Sequence, residues 1–275
     1  MIDLHCHTTV SDGTLTPAEL LAAARAVGLS AVSITDHDNV DAYDDPALDD
    51  PGLIVVPGVE LSLRWPSGNC HVLGYGIDPR HGALRACLAD LQRWRAERNV
   101  EMVANLVAAG APISIERVQE LAGGEQIGRP HMALALIEAG AVASVEEAFA
   151  RWLGDDLPYY VPRRDLEHEP AIALVHAAGG VAVLAHPYQT GLAGLELAAQ
   201  VVAWRAMGLD GLEVWYSRHT AAQVAEYRDL AQRLGLIMTV GSDFHGATKP
   251  DIALGEAAAG APADEVVLAA LRRRV

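Results

Sequence analysis

Residues 1–38 read MIDLHCHTTVSDGTLTPAELLAAARAVGLSAVSITDHD, and this stretch decides the fold class. Ile2 to His7 make a first strand. His5 and His7 stand two apart on it and share one face, while Cys6 takes the other. Pro17 opens the alanine-rich helix PAELLAAARAVG, with Thr16 placed to cap its start and Gly28 to stop it. LSAVSITDHD then returns as a short apolar strand that breaks into Asp36, His37 and Asp38 at its C-terminal end. Strand, helix and strand in this order begin an α/β unit.

The same pattern continues outward. LIVVPGVELS at 53–62 and NCHVLGYG around 70–75 are two further strands. The rhythm changes at 81–165, where LRACLADLQRWRAERNVEMVANLVAAG, IGRPHMALALIEAG and SVEEAFARWLG read as helices, and DDLPYYVPRR breaks the pattern with turn and proline signals. Alternation then resumes with GGVAVLAHP, LDGLEVWYS and LGLIMTVGSDFH, each preceded by a helix, and ADEVVLAALRRR closes the chain. Seven candidate strands, several ending in His, Asp or Glu, predict an α/β barrel over 1–80 and 166–275 with its site at the strand ends, and a mainly helical insertion over 81–165. A doubly wound open sheet is the rival. Polar residues spread over so many strand ends favour the barrel.

Composition narrows the function. The 275 residues are 51% hydrophobic, enough for a sizeable core. With 36 acidic against 20 basic residues the formal charge is -16, which excludes a general binder of long duplex nucleic acid but leaves room for a small anion in a local positive site. Three cysteines form no disulfide framework, no apolar run is long enough for a membrane span, and the N-terminus has no basic or apolar leader. The expectation is a soluble cytoplasmic enzyme with no membrane partner.

The chemistry lies in a set of imidazoles and carboxylates at strand ends: His5, His7, Asp12, His37, Glu60, His71, His186, Asp243 and His245. Any one of them could be a hydrogen-bonded core residue or a cap. Three carboxylates gathered without cations would repel and rise in pKa, and divalent ions remove that conflict. Three such ions against three carboxylates leave about +3 in an otherwise acidic protein, a pocket suited to a phosphate dianion. The mixed nitrogen and oxygen set suits Mn, Fe or Zn, and the absence of thiolates argues against a structural zinc site. Cys6 should be an inert core residue facing away from the ligands.

Read together, HCHTTVSDG at 5–13, TDHD at 35–38, HP at 186–187 and SDFH at 242–245, with Glu60 in GVELS and His71 in NCHVLGYG, resemble the PHP (polymerase and histidinol phosphatase) family of metal-dependent phosphoesterases, relatives of the amidohydrolases. The resemblance implies a distorted seven-stranded β/α barrel and two or three divalent ions, manganese foremost, with iron or zinc as alternatives. His5, His7, Glu60 and Asp243 would hold one ion, Glu60 with His71 and His186 a second, and Asp12, His37 and His245 a third. Many members carry histidine where this chain has Asp12; a carboxylate there should favour Mn over Zn. His81, His168, His176 and His219 have no place in the motifs and read as surface or helix-terminal residues.

The insertion resembles that of the small stand-alone members that act on nucleoside 3',5'-bisphosphates and on short RNA ends. Arg129 and His131 in IGRPH, and Arg163 and Arg164, are candidates for contact with a second phosphate. Tyr188 after HP and Lys249 after SDFH are further candidate substrate contacts. Tyr159, Tyr160, Trp215 and Tyr216 offer rings for base stacking, although rings of this kind are first of all packing residues. The implied reaction removes the 3'-phosphate of a nucleoside 3',5'-bisphosphate by attack of a metal-activated hydroxide, with Glu60 and Asp243 as catalytic carboxylates. Asp36 is a further catalytic candidate, which either orients a ligand histidine or shuttles a proton; orientation is the preferred role. Exonuclease action on short RNA from the 5' end is the alternative. Histidinol phosphatase and a non-catalytic metal-binding module rank below both.

Overall fold

The computed structural model describes residues 1–48, 52–66, 68–122, 127–257 and 260–272. The chain forms two compact units, Met1–Leu88 with Asp165–Val275, and Ala89–Arg164. In the first unit β1 (Ile2–Cys6), α1 (Pro17–Ala26) and β2 (Ala31–Ile34) follow the opening pattern. Thr16 accepts from the Glu19 backbone N–H while the Glu19 carboxylate accepts from the Thr16 N–H at 2.9 Å, a reciprocal cap, and Pro17 sits where no helical N–H is needed. Leu20, Leu21 and Ala24 bury the inner face of α1 against Cys6, Val32 and Ile34. Cys6 thus belongs to the apolar side of β1, and His5 and His7 are left to the other.

β3 (Ile54–Val55), β4 (Gly58–Leu63) and β5 (Cys70–Tyr75) come next, followed by α2 (Gly82–Ala108). α3 (Ile115–Ala122), α4 (Arg129–Glu138) and the one-turn α5 (Val145–Ala148) belong to the second unit. Alternation returns with α6 (His168–Ala177), β6 (Val181–Leu184), α7 (Gly194–Ala206), β7 (Gly211–Tyr216), α8 (Ala221–Leu234), β8 (Ile237–Gly241) and α9 (Asp264–Arg272).

The strands differ from a uniform seven-stranded parallel barrel. Eight strands are described, in two sheets ordered β1-β2-β3 and β4-β5-β6-β7-β8. β1, β2 and β3 are parallel, as are β6, β7 and β8, but β5 runs antiparallel to both β4 and β6. Residues 64–69, which join β4 to β5, are too few for a crossover helix, so the two strands pair as a hairpin. α7 and α8 supply the crossovers that keep β6, β7 and β8 parallel. Between the sheets the ladder shrinks to isolated bridges, Cys6 with Phe244 and His37 with Glu60. The His7 N–H donates to Phe244 O at 2.9 Å and the Asp243 N–H to His5 O at 2.8 Å. Those bonds draw the ends of β1 and β8 together without a continuous ladder.

Unit two has its own core, built on Met102, Leu106, Val118, Met132, Leu136 and Leu153, with Trp152, Tyr159 and Tyr160 packed against it. Among the described residues no helix is long and apolar enough to cross a membrane.

Candidate metal centre

Three non-glycine residues have positive φ among the described residues: Asp38 at 48°, His186 at 25° and Asp243 at 61°. Each lies just beyond a strand, in TDHD, HP and SDFH. Such backbone costs about 1–3 kcal/mol per residue and persists only where surrounding bonds enforce it. Asp38 is held by Ser62, whose N–H and Oγ donate to its carboxylate at 2.9 and 3.0 Å. The Asp243 backbone is pinned to His5 as described, and the His186 N–H donates to Glu213 Oε2 at 2.7 Å.

These constraints assemble five imidazoles around Glu60, which is fully buried on β4. Glu60 Oε1 lies 2.8 Å from His71 Nδ1 and 2.9 Å from His186 Nε2. Its Oε2 lies 3.3 Å from His5 Nε2, 3.2 Å from His7 Nε2 and 3.0 Å from His37 Nδ1. Asp243 Oδ1 closes the group at 3.5 Å from His5 Nε2 and 3.3 Å from His7 Nε2. Asp12 stands on the partly exposed side, its Oδ1 3.3 Å from His245 Nε2 and its Oδ2 3.8 Å from His37 Nε2. Three groups could each hold an ion: His5, His7, Glu60 and Asp243; His7, Asp12, His37 and His245; and His37, Glu60 and His71.

The donor atoms are grouped as a cation would require, and several of them are not satisfied by one another. His5 Nδ1 is 2.9 Å from Glu213 Oε1, which requires the proton there and leaves the Nε2 lone pair facing two carboxylate oxygens. His5 Nε2, His7 Nε2 and Glu60 Oε2 are buried without a hydrogen-bond partner. Two donors on one ion at bond lengths of about 2.1 Å stand about 3.0–3.4 Å apart at octahedral to tetrahedral angles, close to the separations here. Electrostatics agree. Burial alone would raise the carboxyl groups of Glu60, Asp243 and Asp12, yet the imidazoles around them hold all three well below the usual range. Burial would lower His7, but the carboxylates of Asp243 and Glu60 pull it up to about 9.

Residues 3–95 match the PHP domain. The chain is 35% identical over 245 residues, 88% of its length and 89% of the other's, to a 5'-3' exoribonuclease of Haemophilus influenzae. It is 34% identical over 247 residues, 89% and 87% of the two chains, to the 3',5'-nucleoside bisphosphate phosphatase of Chromobacterium violaceum. A solved structure of an amidohydrolase from Chromobacterium violaceum, with bound sulfate and no metal, superposes with a TM-score of 0.83 at 32% identity, covering 95% of this chain and 92% of the other. The chain belongs to the PHP family of metal-dependent phosphoesterases. Its α/β architecture with helical additions is that of its PHP relatives.

Around this PHP centre the structure adds Glu213 and gives partners to Tyr216, Lys249 and Asp36. Glu213 on β7 is fully buried and bonds His5 and His186. The Tyr216 hydroxyl donates to Asp243 Oδ2 at 2.9 Å, and Lys249 Nζ donates to the same oxygen at 2.6 Å. Lys249, a candidate substrate contact, thus sits on a candidate ligand. Asp36 accepts from Thr8 N–H at 2.7 Å, Thr8 Oγ1 at 2.6 Å and Ser11 Oγ at 2.5 Å, and Ser11 Oγ lies 3.4 Å from His7 Nδ1. Its carboxylate holds the turn after β1 and reaches His7 through Ser11. A charged residue inside an apolar strand, as in LEVWY, was the available signal for Glu213; nothing in sequence spacing pointed to Tyr216.

The stacking option for Trp215 and Tyr216 and the surface option for His219 are corrected by burial, His168 opens α6 as a helix-terminal residue, and the remaining candidates take the following places. Trp215 and Tyr216 are buried and offer no stacking face. His219 is buried too, with Nδ1 donating to Val214 O at 2.9 Å, and His168 stacks on Trp204. Tyr188 is half-buried beside the rings of Tyr216 and His219. In unit two, Arg129 donates through Nη1 to Leu153 O at 3.0 Å and pairs with Asp155, and its guanidinium lies over the rings of Phe149 and Tyr160. Arg98 covers Tyr160 as well. His131 Nδ1 accepts from the Gly128 N–H at 3.1 Å, at the start of α4, and Arg164 lies over Trp94. Arg163 is close enough to Arg98 to depress that guanidinium, on which burial acts first and Arg129 also bears.

Proposed function

We propose that this protein is a metal-dependent phosphomonoesterase that removes the 3'-phosphate of nucleoside 3',5'-bisphosphates, leaving nucleoside 5'-monophosphates. The observation that carries the reading is Glu60, whose two oxygens face separate pairs and triplets of imidazole nitrogens at ligand-to-ligand spacing. His5, His7, Glu60 and Asp243 would hold one ion, Glu60, His71 and His186 a second, and Asp12, His37 and His245 a third, with manganese foremost. When bound, such ions supply Lewis acidity towards phosphoryl oxygens and lower the pKa of water.

The chain's own residues do the rest. Glu60 and Asp243 fix the histidines of separate strands about one point. Asp36 keeps His7 in place through Ser11. Arg129, with His131, Arg163 and Arg164, binds the phosphate that is not cleaved, and Tyr188 and Lys249 line the approach to the one that is. Binding at the remote phosphate speeds the reaction where it positions the reacting one. The name of the Chromobacterium violaceum relative supports this substrate, and that of the Haemophilus influenzae relative supports a second reading, in which short RNA is shortened from its 5' end.

Phosphate release by the Mn2+-loaded protein from adenosine 3',5'-bisphosphate and from adenosine 5'-monophosphate, with product position read by NMR, tests the proposal. Rapid formation of adenosine 5'-monophosphate is expected. Equal rates on both substrates would refute selection through a second phosphate, and release of mononucleotides from short RNA alone would favour the second reading.

A further inference from the structure

We propose that Glu213 is a positioning residue which fixes the imidazole of His5 in its ligating tautomer and holds the His186 backbone in its left-handed turn. The inference rests on the metal reading of the Glu60 cluster and is independent of which phosphoester is the substrate. Glu213 lies mid-strand in β7 between Leu212 and Val214, fully buried. A carboxylate so placed is costly unless both oxygens are bonded. Oε1 is 2.9 Å from His5 Nδ1 and Oε2 accepts the His186 N–H at 2.7 Å.

Each bond sets a different candidate ligand. A carboxylate on Nδ1 keeps the proton there and presents the bare Nε2 of His5 toward Glu60 Oε2 and Asp243 Oδ1. Anchoring the His186 N–H at φ 25° turns that imidazole so that Nε2 stands 2.9 Å from Glu60 Oε1. One buried group thereby orders a nitrogen on each side of Glu60. Gly241 on β8 leaves the room: a Cβ there would lie 2.7 Å from Glu213 Oε1.

Glu213→Gln separates this role from simple filling of space. An amide offers one acceptor and one donor, and the His186 N–H can only donate. If the amide oxygen serves His186, its NH2 faces His5 Nδ1, and the His5 proton must move to Nε2. If the amide oxygen serves His5, two donors meet at His186. Equilibrium titration with Zn2+ should show about a 10–100-fold loss of affinity at the sites that share Glu60, while the ion of Asp12, His37 and His245 is retained. Ring 1H–15N correlations of the Zn2+-loaded wild type should show His5 protonated at Nδ1, a signal lost in the variant.

Unchanged Zn2+ affinity with the Nδ1 proton kept in the variant would overturn the proposal. Should the variant fail to fold, the wild-type spectrum still decides: a Zn2+-bound His5 protonated at Nε2 contradicts it. A wild type that takes up no Zn2+ or Mn2+ would instead defeat the metal reading itself.

Discussion

Asp12 Oδ1 lies 3.3 Å from His245 Nε2, and the His245 ring in turn stacks on His7 with centroids 4.0 Å apart. His245 Nδ1 donates to its own loop at Asp243 O, 2.8 Å away, so Nε2 is the nitrogen offered to Asp12 and its neighbours. Asp12 is therefore the one carboxylate of the third group, and a hard oxygen among imidazoles tilts that group toward manganese. Asp12→Ala should cost one Mn2+ per chain and leave the ions around Glu60 in place. Asp12→His should raise zinc uptake over manganese at that position. Elemental analysis after dialysis against equal Mn2+ and Zn2+ reads both, and an unchanged ion count in Asp12→Ala would remove Asp12 from the ligands.

Metal uptake should depend on pH in a fixed direction. His7, drawn up to about 9 by Asp243 and Glu60 against the effect of burial, carries a proton in the metal-free fold at neutral pH. With a folded pKa above the unfolded value of about 6.5, that proton stabilises the metal-free fold fully below about pH 6.5 and ceases to do so as pH rises through about 9. An ion must displace it. Binding of the ion that His7 holds should therefore release about one proton from that imidazole, and apparent affinity should climb by up to about tenfold per pH unit toward pH 9. Calorimetric titration in two buffers of different protonation enthalpy measures the release; identical heats would contradict it.

The strand ends were legible in sequence because chemistry is concentrated there. HCH, TDHD, HP and SDFH each place charged or imidazole groups where an apolar strand stops, and the structure brings all nine candidate ligands into neighbouring groups. The hairpin of β4 and β5 was legible too, since residues 64–69 cannot hold a crossover, although the expectation of a distorted seven-stranded β/α barrel said nothing of strand direction. Partners distant in sequence were not legible. That Tyr216 meets Asp243, or that Glu213 joins β1 to the loop after β6, depends on which strands become neighbours, and His219 could not be told from a surface histidine without that knowledge.

Arg129 should govern discrimination between one phosphate and two. Its guanidinium is fixed by Leu153 O, Asp155 and the rings of Phe149 and Tyr160, so it is already ordered before any anion arrives. A charged hydrogen bond of this kind contributes about 1.5–3 kcal/mol. Arg129→Ala should lower kcat/KM for the bisphosphate by about 10–100-fold and change that for a 5'-monophosphate little. Arg129→Lys should recover only part, because an ammonium lacks the planar fork. Parallel losses on both substrates would place Arg129 in the scaffold alone.

Asp36→Ala separates support from chemistry. The substitution strips three donors, Thr8 N–H, Thr8 Oγ1 and Ser11 Oγ, of their shared acceptor in a buried turn. A loss of about 1–3 kcal/mol in stability is expected for each buried donor left without an acceptor. Because Ser11 is also the neighbour of His7 Nδ1, Mn2+ affinity should fall along with thermal stability. If Asp36 instead moved a proton in the reaction, the variant would bind Mn2+ as the wild type does and lose kcat with an altered pH profile.

Gly241 should tolerate no side chain, for a reason of space at one point. It ends β8 directly beside β1, where a Cβ would collide with Cβ of His5 and approach Glu213 Oε1 at 2.7 Å and the His5 N at 3.0 Å. None of these atoms can yield cheaply: the His5 N and Cβ belong to a paired strand, and Glu213 is bonded at both oxygens. Overpacking of a tight interior costs about 1–3 kcal/mol or more, and the displaced atoms here are those that aim His5 at Glu60. Gly241→Ala should therefore lower the melting temperature by several degrees and weaken Zn2+ binding at the Glu60 sites together. Gly28→Ala is the control: its φ of 79° makes alanine strained, but nothing lies within 4 Å of the added Cβ. That variant should lose about 1 kcal/mol, the cost of left-handed backbone, and keep its metal affinity. Equal metal affinity in both variants would show that the close packing of β8 on β1 has no part in presenting His5.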